Sequence, residues 1–374
     1  MIRFGPAGIP LSCKGRTLKD GIEDIHNLSL TALEIQLVRT GTYEVCPEDE
    51  DVGIPLRDIS GHFVVEIVRG GEIISDPKTV VEENDVLIGM DIGIAPNFYS
   101  LYGLGSMAKR LDINLSIHTP NYMDLGSNSE LTEIGMDTIR RSGIIIDALG
   151  GDIVTTNLGL YTLDDDDETE NNIRNNISEI VDWWKEMKLR PRLGIEVTGH
   201  QDIFGSLEQV CSICDDFDVL VPVINWPNYH SRSRDNNIDN MVMSNSDDYL
   251  LEAEDFKNVI DDIVPYYKGG NIHTIFSGIE HTEDNSYRLT PIKKGDLRFD
   301  TFAECLVDLR PNMTIISSSP LLEHDAMYMR IIYETAFSRK VSKELRIRRK
   351  EEIEAELMDS AGIDGRLDKR IGIR

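Results

Sequence analysis

Eight short apolar runs recur along this 374-residue chain: Ile2–Gly5, Leu33–Val38, Ile113–His118, Ile153–Asn157, Leu193–Glu196, Val219–Asn225, Asn271–Phe276 and Met313–Ser317. Each is followed by a longer segment whose apolar residues return every three or four positions, near residues 17–28, 99–111, 128–148, 170–188, 206–217, 250–263, 299–309 and 320–350. That alternation predicts repeated strand–helix units around a parallel sheet. Eight of each predicts fold class α/β and a (β/α)8 TIM barrel spanning residues 1–337. An open doubly wound sheet is the alternative, but GPAG after the first run lacks the GxGxxG spacing of a phosphate turn.

Two stretches break the repeat. Residues 43–90 hold β-rich runs around an Arg69-Gly70-Gly71-Glu72 turn, which predicts a small β insertion after strand 2 that overhangs the barrel mouth. Residues 231–248 are polar and aperiodic and read as a second insertion or loop; the acidic run Asp164–Glu168 ahead of the fourth helix reads as a solvated loop or as charge at that helix's N-terminus. Residues 338–374 read as a charged, basic helical tail continuing the last barrel helix.

Charge narrows the partners. Lys and Arg number 38 against 66 Asp and Glu, for a net charge of −28. Residues 1–336 hold 27 basic and 58 acidic side chains, a charge of −31, so only the tail is basic. A body this acidic repels a polyanion and argues against general nucleic-acid binding. No basic-then-apolar leader and no apolar stretch long enough for a membrane span is visible, and the expected location is cytoplasmic. The five cysteines (Cys13, Cys46, Cys211, Cys214, Cys305) are odd in number and scattered, as reduced thiols would be.

A barrel carries its chemistry at the C-terminal ends of its strands. Read in order, those ends supply His118, Asn157, Glu196, then Asn225 with Asn228 and His230, then His273 and Ser318. Imidazole and carboxylate groups converging from several strands suit Zn²⁺, Mn²⁺ or Fe²⁺. Tyr161 follows the fourth strand, and Arg232 the sixth, where it would supply positive charge for a phosphate.

The segments RFGPAGIP, LSIHTPNYMDLGS, DIVTTNLGLY, GIEVTGHQDIFGSLEQV, VPVINWPNYHSR, IHTIFSGIEH and TIISSSPLLEHDAMYM together resemble the endonuclease IV family of the xylose isomerase-like TIM barrels, most of all its archaeal endonuclease-IV-like members. The resemblance implies a metal-dependent phosphodiester hydrolase of DNA repair, an apurinic/apyrimidinic endonuclease that uses zinc. His118, Glu196 and His273 match family ligands. Asn157 stands where the family has His, and Asn225 and Asn228 stand where it has Asp and His. The family's His near Leu289 and its Glu at Ser318 are absent.

So depleted a set implies one divalent ion at most, Zn or Mn, or none. If the two-residue strand period runs on past Asn225, His230 replaces the ligand lost at Asn228, giving His118, Glu196, His230 and His273 as ligands with Glu196 as ligand or base. Asn157, Tyr161, Asn225, Asn228, Ser318 and Arg232 would then bind substrate, a small phosphorylated or sugar-like ligand or abasic DNA. Two alternatives stand beside the hydrolase. One is a mononuclear sugar isomerase or epimerase using Glu196 and His273 of a four-ligand set that also spans Asn225 and Ser318. The other is a non-catalytic ligand-binding barrel. Homo-oligomer formation through the C-terminal tail is a further expectation.

Overall fold

The computed structural model describes residues 1–161, 166–240, 250–282 and 286–368, with the side chains of 235–240 and 353–368 left out. Strand β1 (Ile2–Pro6) leads into helix α1 (Leu18–Asn27), started by a capping box in which Thr17 and Asp20 satisfy each other's backbone N–H groups. Strand β2 (Ala32–Gln36) is followed by β3 (Thr42–Val45), β4 (Val64–Arg69), β5 (Glu72–Ile74) and β6 (Val86–Met90). The repeat resumes with α2 (Phe98–Arg110), β7 (Asn114–His118), α3 (Glu130–Leu149), β8 (Ile153–Thr156), α4 (Asp166–Glu186), β9 (Arg192–Glu196), α5 (Leu207–Asp216) and β10 (Leu220–Asn225). It ends with α6 (Trp226–Asn240), α7 (Ala253–Tyr267), β11 (Ile272–Phe276), the hairpin β12 (Gly278–His281) and β13 (Tyr287–Thr290), α8 (Phe299–Leu309), β14 (Met313–Ser317) and α9 (Glu323–Asp368).

Eight strands form one parallel sheet in the order β1, β14, β11, β10, β9, β8, β7, β2. The sheet closes where the Ala7 bridge meets Glu34 and the Gly8 N–H donates to the Glu34 carbonyl at 2.8 Å. Closure brings β1 hard against β2, and a Cβ on Gly5 would sit 1.8 Å from the Ala32 carbonyl oxygen. Outside the strands the helices bury an apolar shell, with Phe276, Phe299 and Phe302 in mutual contact and Trp226 4.9 Å from Phe302.

The segment between β2 and α2 is a separate antiparallel sheet in the order β3, β6, β4, β5. Gly70 and Gly71, at φ 61° and 91°, make the tight turn from β4 to β5, a conformation that L side chains resist. This sheet docks on the outer wall: Phe63 stacks 4.8 Å from Phe98 of α2, and Arg141 of α3 donates to buried Glu66 at 2.8 Å.

One expectation changes here, and one open alternative is decided. The polar stretch after β10 is no loop up to residue 240, because α6 begins at Trp226 directly behind Asn225. Pro227 sits in its first turn, where a missing N–H costs nothing. Residues 241–249 lie outside the described residues. Of the acidic run, Asp166, Asp167 and Glu168 form the first turn of α4, at the end of the helix that favours negative charge, and its first two residues lie outside the described ones. Among the described residues no helix is long and apolar enough to cross a membrane.

The Gly5 contact is backbone against backbone, so it cannot be relieved by a rotamer change. Gly5→Ala should lower stability by about 3 kcal/mol. Gly103→Ala, inside α2 with open space around the new methyl, should raise it by about 0.5–1 kcal/mol. Urea unfolding checks both as shifts of midpoint at constant slope.

Candidate functional site

The interior of a barrel like this is ordinarily filled by branched apolar side chains. Here, alternate residues of several strands aim polar groups at the axis. Glu34 and Gln36 of β2, Ser116 and His118 of β7, Glu196 of β9 and His273 of β11 form a polar cluster, in which His118–Glu196 and His273–Glu34 join strands that are not neighbours in the sheet. Glu34, His273, His118 and Glu196 are each at least 94% buried, so every charge needs a partner.

The groups pair as two units. Deeper in the barrel, His273 Nε2 donates to Glu34 Oε2 at 2.9 Å, Gln36 Nε2 donates to Oε1 at 3.0 Å, and Ser116 Oγ lies 3.4 Å from Oε2. Burial pushes the Glu34 carboxyl up. The His273 hydrogen bond and the charges on His118 and His273 outweigh that and hold it below its ordinary value.

Nearer the mouth, His118 Nε2 meets Glu196 Oε2 at 2.7 Å and His118 Nδ1 meets the Thr119 carbonyl at 2.6 Å. Both partners are acceptors, so both ring nitrogens donate and the ring carries a charge. Burial acts to lower the His118 pKa, but the hydrogen bond and charge of Glu196, aided by Glu34, push it up to about 9. The other Glu196 oxygen accepts from Asn225 Nδ2 at 2.6 Å and Asn228 Nδ2 at 3.1 Å. Tyr287 donates to Asn228 Oδ1 at 2.8 Å, which fixes which way that carboxamide points.

Above this floor opens a cavity of about 750 Å³. Glu196, Asn157, Thr198, Asn225 and Asn228 supply its polar floor. Tyr122, Met123, Leu131, Ile134, Leu160, Ile203 and Leu289 line its walls, and the ring of Tyr287 stacks on His200 with centroids 4.9 Å apart. No residue of 43–90 lines the cavity, where the insertion was expected; it packs on α2 and α3 at the flank.

The proposed ligands divide. His118 and Glu196 meet each other and His273 meets Glu34, while His230 lies elsewhere. The two-residue period that would have put His230 beside Asn228 stops at Asn225. On a helix, positions two apart face different ways, so Asn228 reaches Glu196 while His230 turns to His281, with ring centroids 5.7 Å apart. Burial, with the charges of His281 and Arg234, pushes His230 down to about 4. Among the described residues no group of three or more His, Cys, Asp or Glu side chains converges as a metal site would require. Both His118 nitrogens and both Glu196 oxygens are committed to protein partners, so the residues as arranged do not fit a resident divalent ion.

The remaining expected substrate contacts also separate. Asn157, Asn225 and Asn228 line the cavity. Tyr161 and Arg232 stand behind its wall. Tyr161 donates to Glu170 at 3.0 Å, and its pKa is pushed up to about 12 by burial and that carboxylate. Arg232 Nη1 donates to the His200 and Ile203 carbonyls at 2.8 and 3.0 Å and braces the 198–203 loop. Ser318 follows β14 with its N–H on the Phe276 carbonyl. At the start of α9, Glu323 accepts from the Leu11 and Ser12 N–H groups, and Asp325 from Ile292 N–H.

Sequence reasoning missed Glu34, Gln36 and Tyr287. The signal for the first two was present in the chain, since ALEIQ alternates acid and amide with apolar residues at the strand period. Tyr287 belongs to a hairpin with no strand candidate of its own.

Residues 96–318 match the model of the xylose isomerase-like TIM barrel family. The chain belongs to that family. The chain is 27% identical over 223 residues to the uncharacterized protein MJ0133 of Methanocaldococcus jannaschii, covering 59% of this chain and 77% of that one. Solved structures with the same fold include a D-tagatose 3-epimerase-like protein, with TM-score 0.55, 14% identity, and coverage of 91% of this chain and 99% of that one. Endonuclease IV from Thermus thermophilus gives TM-score 0.55, 12% identity, and coverage of 89% and 99%. L-ribulose 3-epimerase gives TM-score 0.53, 11% identity, and coverage of 93% and 98%. At such identities the likeness extends to the family's fold and no further.

Because the folded pKa of His118 lies above its unfolded value of 6.5, its contribution to stability is complete below pH 6.5 and is lost as pH rises toward about 9. Unfolding free energy should therefore fall across that interval. His118→Gln should flatten the fall and cost about 3–5 kcal/mol near pH 6, because it leaves Glu196 buried without its cation. Denaturant unfolding across the pH series measures both effects.

Proposed function

We propose that this chain is a metal-independent member of the xylose isomerase-like barrels that binds a small organic molecule at its mouth, its polar edge on Glu196, Asn225 and Asn228 and its apolar body against the cavity walls. One observation carries this reading: Glu196 faces the cavity already neutralised by His118 and held by two carboxamides.

The substitution at position 225 explains why. The family resemblance places an Asp there. With Asn225 Nδ2 only 2.6 Å from Glu196 Oε1, an Asp would bring two carboxylates together, which only a cation between them makes tolerable. Asn turns that repulsion into a direct hydrogen bond, and the His118 imidazolium supplies the positive charge a metal would have brought. The site keeps its polarity without the ion.

The remaining chemistry suits recognition. Glu196 offers acceptor lone pairs to ligand hydroxyl or amine groups, with His118 holding the carboxylate in place. Tyr287 fixes Asn228. The volume falls within the ordinary small-molecule range, and the apolar walls favour a ligand with a hydrocarbon or ring face. Phosphodiester hydrolysis by metal-activated water finds no seat in this donor set, and the −31 carried by residues 1–336 repels a duplex.

Elemental analysis of tag-free protein should find far less than one zinc, manganese or iron per chain, and neither chelator nor added metal should move the melting temperature. Asn225→Asp should melt lower than wild type and recover on addition of Mn²⁺ or Zn²⁺. A stoichiometric ion in the wild type, whose removal lowers its melting temperature, would overturn the proposal. A thermal-shift panel of small polyols, amines and hydroxy acids should give stabilisation that Ile134→Trp, which fills the cavity, abolishes.

A further inference from the structure

Helix α9 runs 46 residues, about 70 Å of rod. One side of it belongs to the barrel. Ala326 and Met329 are fully buried, Tyr333 packs 6.0 Å from Phe4, Lys340 pairs with Asp308 of α8, and Glu344 accepts from Arg310 at 3.2 Å. The opposite side carries Ile331, Thr335, Ser338, Ser342 and Leu345, all exposed. Their spacing of four, three, four and three residues is that of a seam between two helices. Ile331 and Leu345, at its two ends, stand 50% and 61% exposed.

We propose that this face pairs antiparallel with the same face of a second copy of the chain. Charge selects both the partner and the direction. Residues 339–350 hold seven basic side chains and one acid, while residues 1–336 carry −31. In a parallel pair the two basic stretches would lie side by side and repel. In an antiparallel pair centred on Ser338, Ile331 of one copy meets Leu345 of the other, and each basic stretch lies over the acidic barrel of its partner. The small hydroxyl side chains at the centre let the helices approach closely, and the two-fold arrangement is self-complementary.

Sedimentation velocity of the full chain should show twice the 42.2 kDa monomer mass in about 0.1 M salt, and weaker association in about 1 M salt, where the Debye length falls to roughly 3 Å. Ser338→Arg, at an exposed position, should leave the circular dichroism spectrum unchanged and weaken association at least about tenfold. Ser338→Cys in a Cys46→Ser background should cross-link two chains under mild oxidation, because antiparallel pairing brings the two 338 positions together. A monomer at every concentration, with the basic stretch free to bind a polyanion instead, would overturn the proposal. So would a dimer indifferent to Ser338→Arg that fails to cross-link through position 338.

Discussion

A charge sealed in the middle of a protein has to be answered by another, and this barrel is organised around two such answers. Glu34 pairs with His273, and Glu196 with His118, all four nearly buried and only Glu196 facing the mouth cavity. The partners come from strands that do not touch in the sheet, so each pair is a tie across the barrel as well as a neutralisation. Pairs of this kind add little net stability over apolar packing, but losing one partner is expensive. They fix which strands face which.

The surrounding architecture gives those ties their setting. Gly5 admits the close approach of β1 to β2 that closes the sheet beside Glu34. The turn from β10 into α6 at Asn225 places two carboxamides one helical turn apart, both within reach of Glu196. Arg232, four residues further along the same helix, braces the loop that forms one wall of the cavity, and Tyr287 comes in from the β12–β13 hairpin to orient Asn228. Polar floor and apolar walls therefore come from different elements, and the floor is rigid because every group in it has a protein partner.

The strand and helix alternation was legible because each element buries one local pattern, and period two or 3.6 is written in neighbouring residues. The chemical inventory of the mouth was legible too: His118, Glu196 and Asn225 stand at strand ends where barrel geometry puts reactive groups, and Asn228 follows in the first turn of α6. A strand period carried past Asn225 puts His230 beside Asn228, but Pro227 sits in the first turn of a helix and the period changes there. Glu34 escaped attention because a single acid in an apolar strand looks like an exception until its partner is known, and Tyr287 because its short hairpin has no periodic run to announce it.

By itself the sequence determined that the chain closes eight parallel strands into an acidic barrel, and that His118, Glu196 and Asn225 end three of them. Both follow from local periodicity and composition. Only the tertiary structure decided the pairing, because His118 finds Glu196 at a separation of 78 residues and His273 finds Glu34 at 239. Contacts that distant leave no local pattern. Three histidines and a glutamate read along the chain resemble a metal set, but closing the barrel distributes them into two ion pairs and a helix-borne imidazole that turns away.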